Sequence, residues 1–208
     1  MPKKCSHLAD KLALRFRSLE STRKKIERLA RRGGLTQRAV LTMYEGLFLS
    51  AHVAAELFLE ELFVGLLPKD KGVESSRNDV MPRVEITAHS IARDLITGPS
   101  RQYVDWVPFD KTISLAKLFF RGGRPFSDLA KPHQDILKKS HYIRNAIAHK
   151  SAHGMRQFNN HVVGTVPLPP GERLPAGYLR GLYRTKPAET RFTNLLSQLL
   201  LCARDLAR

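Results

Sequence analysis

The sequence has few of the residues that cross-link a chain or anchor it in a membrane. Only two of its 208 residues are cysteines, Cys5 and Cys202, which excludes a disulfide framework and a four-cysteine zinc site. No apolar segment follows the basic N-terminus, so we expect no signal peptide. The most apolar run, 47–67, contains His52 and three glutamates, whereas a carboxylate at the centre of a bilayer costs about 2.5 to 3.5 kcal/mol. We therefore expect a buried helix of a cytoplasmic protein that does not contact a membrane.

Several enzyme signatures are also missing. The sequence has no P-loop, no dinucleotide fingerprint and no motif of a serine nucleophile. His149 and His153 have the i, i+4 spacing of a zinc site, but no nearby Cys, Asp or Glu completes a set of ligands. We therefore expect neither a metal nor an organic cofactor.

Acidic residues are scarce, with 19 Asp and Glu against 35 Lys and Arg, and the net charge is +16. The excess lies at the two ends of the chain: residues 1–38 carry +9 and residues 111–208 carry +12. Residues 39–67 carry −4, and residues 68–110 carry −1. A uniformly basic surface made only for solubility would not be divided in this way, so the pattern favours a basic face and a polyanionic partner.

Hydrophobic periodicity predicts helices along most of the chain. A basic amphipathic helix over 7–32 ends at Gly33 and Gly34, and Thr36 is the predicted N-cap of a second helix that reaches about residue 67. Further helices are predicted over 84–95 (ending near Gly98), 111–120 (capped by Asp110), 132–149 and 189–207.

The segment 151–187 holds several prolines and glycines and predicts a long loop, with a short hairpin near residues 162–163. The length favours one domain. The predicted fold is all-α: an up-and-down bundle of four main helices, with short extra helices and a long C-terminal loop.

The most distinctive motif is the segment HYIRNAIAHKS, residues 141–151, at the end of a predicted helix. Asn145 and His149 are four residues apart and share a helix face, whereas Arg144 and His149 are separated by about 140°. A neutral His can take the proton of a ribose 2′-OH, and an Arg can bind the scissile phosphate through two parallel donors. The same residues also fit a second interpretation, as ordinary cations at the end of a helix.

The segment YIRNAIAH (142–149) resembles the signature of HEPN domains, and LSAHVAAELFLEELF (49–63) resembles the acidic, apolar second helix of that family. The resemblance covers about residues 35–155 and is strongest to stand-alone HEPN nucleases of bacterial conflict systems. It implies a metal-independent endoribonuclease that acts as a homodimer, with Arg and His from both protomers in one composite cleft. The products would be a 2′,3′-cyclic phosphate and a 5′-OH.

The resemblance also implies roles for individual residues. Arg144 would bind the phosphate, Asn145 would be a polar helper, and His149 would be the acid and base. Glu56, on a polar stripe with Glu45, His52 and Glu60, would pair with Arg144 or tune His149, or else belong to a solvated face.

The resemblance further implies a toxin or antiviral effector with a cognate antitoxin or a defence-system partner protein. Family members controlled by nucleotidyltransferase antitoxins often carry a Tyr two residues after the His, and the antitoxin modifies that Tyr. The corresponding residue here is Ser151, which counts against this mode of regulation but leaves the cleavage chemistry unaffected.

Three further groups of basic residues are candidates for RNA binding. Arg121 and Arg124 lie in a segment with aromatics that could stack on bases, or that could simply be buried where a helix stops. Lys150 directly follows the motif. The third group is a basic cluster in the first helix that could equally be a solvated face, with Arg28, Arg31 and Arg32.

Two other functions fit the sequence. A HEPN-like module could bind RNA or a partner protein without cleaving RNA, although the intact Arg144 and His149 favour the nuclease. A basic helical protein could also bind DNA, but the sequence contains no clear recognition-helix motif.

Overall fold

A computed structural model describes residues 3–68, 72–84, 86, 88–97 and 104–208. These residues form eight α-helices: α1 Cys5–Arg31, α2 Gln37–Gly65, α3 His89–Thr97, α4 Phe109–Phe119, α5 Lys131–His149, α6 Ala152–Phe158, α7 Pro175–Arg180 and α8 Arg191–Leu206. Two small sheets complete the described part: β1 Lys3–Lys4 pairs in parallel with β2 Val73–Glu74, and β3 Leu182–Thr185 pairs antiparallel with β4 Ala188–Thr190. The predicted all-α class is confirmed.

The turn between α1 and α2 forms as its sequence predicts. Gly33 has a φ of 74°, a left-handed conformation that favours glycine, and the Gly34 amide donates to the Leu29 carbonyl at 3.0 Å. The Thr36 hydroxyl then accepts from the Ala39 amide at 3.2 Å and caps α2.

The chain divides into two compact units, and the four long helices α1, α2, α5 and α8 contribute residues to both. The first unit contains the described residues up to 13, those of 54–137, and 199–208. The second contains residues 14–53 and 138–198.

The core of the first unit is an aromatic cluster around Phe63. Its ring centroid lies 5.0 to 6.1 Å from those of four other aromatic residues, Trp106, Phe119, Phe120 and Phe126. Helix pairs in this unit are also linked by ion pairs. Lys11 of α1 reaches Glu61 of α2 at 2.8 Å.

Half-buried carboxylates join the helices of the second unit. Glu27 of α1 accepts from the Tyr44 hydroxyl of α2 at 3.0 Å and from Arg180 of α7 at 2.9 Å. Burial by itself would raise the pKa of Glu27, but the hydrogen bonds from Arg180 and Tyr44 outweigh that effect and lower the pKa below its usual value. In the same unit, Glu20 of α1 accepts from Thr193 of α8 at 3.0 Å.

Two predicted helix starts are wrong by a few residues. The helix predicted over 84–95 begins at His89, and its predicted end near Gly98 lies outside the described residues. Asp110 does not cap α4, because Pro108 is in the N-cap position and Asp110 lies in the first turn. An acidic side chain is favourable there as well, since it faces the positive end of the helix dipole.

The prediction of a long C-terminal loop over 151–187 is wrong. This segment contains α6, a π-helical turn at Asn159–Val163, a 3₁₀ turn at Pro170–Arg173 and α7. Pro170 and Pro175 lie in the first turns of two of these elements, where a missing N–H costs nothing, so these prolines start helices rather than break them. The hairpin is formed by β3 and β4, not by residues 162–163. Among the described residues, no helix combines the length and apolar character that a membrane span requires.

Candidate functional site

The motif lies where α5 ends and α6 begins, within the second unit. His149 is the last residue of α5, and Lys150 follows with a left-handed φ of 46°. Ser151 is extended, and its hydroxyl accepts from the Gly154 amide at 3.0 Å, which caps α6. Ser151 therefore has a structural role. It lies at the position where HEPN toxins controlled by nucleotidyltransferase antitoxins often carry Tyr.

Gly154 allows α6 to lie close against α5. A Cβ atom at this position would lie 3.2 Å from the Asn145 carbonyl oxygen and 3.3 Å from the Ser151 hydroxyl, closer than side chains normally approach. The last turns of α5 are thus held by a close backbone contact from the next helix.

Arg144, Asn145 and His149 are in contact. Arg144 Nη1 donates to Asn145 Oδ1 at 2.9 Å and to His149 Nε2 at 3.2 Å. The angular separation of about 140° does not keep Arg144 from His149, because the long Arg side chain reaches the last residue of the helix. Since a guanidinium only donates, His149 Nε2 accepts and carries a lone pair, which is the form that a general base needs.

The network continues to a second histidine. Because Asn145 Oδ1 accepts from Arg144, the amide nitrogen Nδ2 faces His141 and donates to its Nε2 at 2.9 Å. Asn145 thus links His141 to Arg144 and fixes the direction of the guanidinium. His141 belongs to the motif but was not predicted as a site residue. Its i, i+4 spacing to Asn145, repeated from Asn145 to His149, is the signal that could have identified it.

Arg144 retains donors for a ligand. A guanidinium has five N–H groups, and the two hydrogens of Nη1 account for both bonds that Arg144 makes to described residues. Nε and Nη2, with three N–H groups, form the edge that can bind a phosphate by two parallel bonds. His149 is exposed, and Arg144, Asn145 and His141 are half-buried, so solvent and ligands can reach the site.

The polar stripe on α2 is engaged by other elements. Lys150 lies 3.5 Å from Glu45, and His52 Nδ1 lies 2.9 Å from the buried Ser140 hydroxyl of α5. Both pairs tie α2 to the region of the motif in the second unit. Glu56 is half-buried on the part of α2 that belongs to the first unit.

The candidate RNA-binding residues differ in how available they are. Two aromatics of this segment, Phe120 and Phe126, are fully buried, so for them the interpretation as side chains buried where a helix stops is confirmed and the alternative of base stacking is wrong. Arg121 is exposed, whereas Arg124 Nη1 donates to Asp79 at 2.7 Å.

The basic cluster of α1 is mostly exposed. Arg28, Arg31 and Arg32 are all exposed, while Arg23, earlier in α1, donates to Glu20 at 2.7 Å. Lys150 is also largely exposed beside Glu45.

No three His, Cys, Asp or Glu side chains cluster as metal ligands within the part of the chain that the structure describes. His149 and His153 lie in different helices, since α5 ends between them.

Comparison of the chain with protein-family models, with curated proteins and with solved structures gives no match. The HEPN resemblance therefore depends on the motif, the preceding acidic helix and the helical fold.

Proposed function

We propose that the protein is a metal-independent endoribonuclease of the HEPN type that acts as a homodimer. The observation that carries the proposal is the hydrogen-bonded set of Arg144, Asn145 and His149, in which one imidazole nitrogen accepts a hydrogen bond and three guanidinium N–H groups are not used in these bonds. This set places a base and an anion-binding edge at one exposed helix end. RNA cleavage by attack of the ribose 2′-OH requires both, the base to remove the proton and the edge to bind the phosphate.

In the proposed reaction, a phosphate of the RNA backbone binds to Nε and Nη2 of Arg144. Turning toward the phosphate breaks the bond of Arg144 Nη1 to His149, so His149 Nε2 becomes available for the ribose 2′-OH. Transfer of that proton to His149 lets the 2′-oxygen attack phosphorus, and the bond to the 5′-oxygen breaks. The leaving oxygen takes up a proton from the second protomer's His149 in a composite cleft, and that second His149 must enter the reaction in its protonated form.

Charge supports the choice of substrate. The net charge of +16 favours a polyanion, and Arg28, Arg31, Arg32 and Arg121 are exposed cations that can contact phosphates. We propose that the protein is a cytoplasmic toxin or antiviral effector that a partner protein restrains. Because residue 151 is Ser, this partner would act without modifying a Tyr there.

The test is incubation of the purified protein with mixed cellular RNA in EDTA. The wild type should cut and leave 2′,3′-cyclic phosphate ends, while Arg144→Ala and His149→Ala should lose at least about a hundredfold in rate. Two matched controls are exposed residues of α6, Arg156→Ala and His153→Ala, and both should cut like the wild type. Intact RNA with the wild type, or equal cutting by the site variants, would refute the nuclease. Cutting only with an added divalent ion would refute the metal-free mechanism.

The second candidate is a HEPN-like module that binds RNA or a partner protein without cutting. One observation favours it: Arg144 already occupies the lone pair of His149 Nε2. If that bond survives RNA binding, the imidazole cannot act as a base. This candidate predicts that wild-type protein retains RNA on a filter, leaves it intact, and loses the retention in Arg144→Ala.

A further inference from the structure

An aromatic stack includes one residue of the motif and has no part in the proposed cleavage. Tyr142 of α5 and His161 of the π-helical turn have ring centroids 4.5 Å apart and planes inclined by only 15°. This near-parallel arrangement is the one that neighbouring bases adopt in a nucleic acid strand, and aromatic side chains adopt it when they bind bases.

The surrounding residues fix the stack in place. Val162 and Val163 are buried directly after His161, and Gly164, with a φ of 59°, ends the turn. His161 itself is exposed and Tyr142 is half-buried, so the stack lies at the surface. Isolated π-helical turns are rare and occur frequently at functional sites.

The stack also lies on the same helix face as the candidate base. Tyr142 and His149 are seven residues apart on α5, which places them within about 20° of each other and about 10 Å apart along the axis. Asn145 lies between them on this face. A strand whose phosphate is bound at Arg144 therefore has a flanking base within reach of the stack.

We propose that the stack of Tyr142 and His161 binds an unpaired base next to the phosphate held at Arg144. The substrate class is then single-stranded RNA, since the bases of a duplex are stacked on one another and cannot reach a protein ring. The choice of RNA rests on the proposed function. The stacking itself requires only a bound strand and does not depend on cleavage.

The test measures binding without cleavage, in the full-length chain carrying His149→Ala. The probe is a short fluorescent single-stranded RNA, and the readout is its anisotropy. Adding Tyr142→Leu should weaken binding at least about fivefold, the loss expected for one stacked base, whereas Tyr142→Phe should bind as before. Leu keeps the apolar bulk and Phe keeps the ring, so the pair separates stacking from packing. Thermal unfolding of each variant checks that both are folded.

Two further probes isolate the base. An abasic oligomer of the same length should bind Tyr142→Leu and its parent equally, and so should a duplex RNA. His161→Ala should weaken binding of the intact strand in the same direction as Tyr142→Leu. The matched control is Tyr183→Ala, an exposed tyrosine of β3, which should leave binding unchanged.

The experiments distinguish a failure of the base-stacking proposal from a failure of the nuclease proposal. If Tyr142→Phe and Tyr142→Leu bind the single strand equally, the base-stacking proposal is wrong. It is also wrong if Tyr142→Leu weakens binding of the abasic oligomer as much as binding of the intact strand. A wild type that cuts no RNA, yet binds single strands in a manner dependent on Tyr142 and on the bases, overturns the nuclease and supports the stacking. A protein that binds no RNA overturns both.

Discussion

Asn145 is the residue that holds the candidate site together. Its amide oxygen accepts from Arg144 at 2.9 Å, and its amide nitrogen donates to His141 at 2.9 Å. Arg144 would otherwise be a long side chain with many rotamers at the end of a helix, and the two bonds of the amide restrict it. Asn145 therefore positions Arg144, and in the proposed reaction Arg144 and His149 are the residues that contact the RNA.

Asn145→Ala should lower RNA cleavage by about a hundredfold, the cost of misplacing a reacting group by about 1 Å. The loss should fall on kcat more than on KM, because the bulk of the bound strand is held elsewhere. Asn145→Asp keeps the acceptor for Arg144 and should retain more activity than the Ala variant. Asn78→Ala, an exposed asparagine of the first unit, is the control and should have no effect. Equal rates for Asn145→Ala and the wild type would contradict the positioning role.

The two cysteines differ from reactive thiols in their surroundings. Burial raises the pKa of Cys5 to about 11 and that of Cys202 to about 12, from an ordinary value of 9.0. At mildly alkaline pH the folded protein should therefore react with iodoacetamide at least about a hundredfold more slowly than the unfolded chain. Mass spectrometry of samples quenched over time measures both rates. Equal rates would show that the thiols are accessible in the folded protein.

The same pKa shifts make stability depend on alkaline pH. Because folding raises the pKa of both thiols, the unfolded chain releases these protons at a lower pH than the folded protein. Their contribution to stability is fully present below pH 9 and is lost as the pH rises from there toward 11 and 12. Replacing Cys5 and Cys202 by Ala should make the free energy of unfolding, measured with urea, fall less steeply over this range.

At the scale of elements, the site depends on how one helix stops and the next begins. Lys150 takes the left-handed conformation, Ser151 caps α6, and Gly154 brings α6 against the Asn145 carbonyl. Each step fixes the direction of the last turn of α5. The position of His149 is therefore set by the α5–α6 junction as well as by α5 itself.

Gly154→Ala tests this junction. The added Cβ would lie 3.2 Å from the Asn145 oxygen, so the helices must separate slightly, and we expect a loss of about 1 to 3 kcal/mol in stability together with reduced cleavage. Gly46→Ala is the matched control, because Gly46 lies in the exposed middle of α2 with no neighbouring atom within 4 Å of an added Cβ. That change should stabilise the protein by about 0.8 to 1 kcal/mol. Urea unfolding of both variants measures the difference, and a neutral Gly154→Ala would contradict the close contact.

Over the whole molecule, the hydrophobic periodicity and the residues that start and stop helices predict the long helices well. The apolar spacing of α1, Gly33 and the cap Thr36 act locally, so a single sequence contains the information for them. The segment 151–187 was not predictable in the same way. Its prolines start helices only because tertiary packing supplies buried partners for short elements such as α7, in which Leu179 is fully buried.

The candidate site, too, could be predicted from the sequence only in part. The sequence identifies Arg144, Asn145 and His149 by spacing, and the contact between Arg144 and His149 follows from the end of α5. The link to His141 depends on amide and imidazole orientations that spacing alone does not specify. Arg124 is less available to a ligand because it donates to Asp79, which is 45 residues away in the sequence and comes close only in the fold.

The uneven charge of the whole chain leads to a last prediction, about RNA binding. If the exposed cations of α1 contact phosphates, replacing Arg28, Arg31 and Arg32 by Gln should weaken binding of a single-stranded RNA. The slope of log affinity against log salt should also become shallower by up to about 2, from about 0.7 per lost contact. The control removes three cations that already pair with carboxylates, Lys11, Lys131 and Arg93. Both variants lower the net charge by three. A loss confined to the variant of Arg28, Arg31 and Arg32 assigns binding to the surface at the C-terminal end of α1, whereas equal losses show that only the total charge matters.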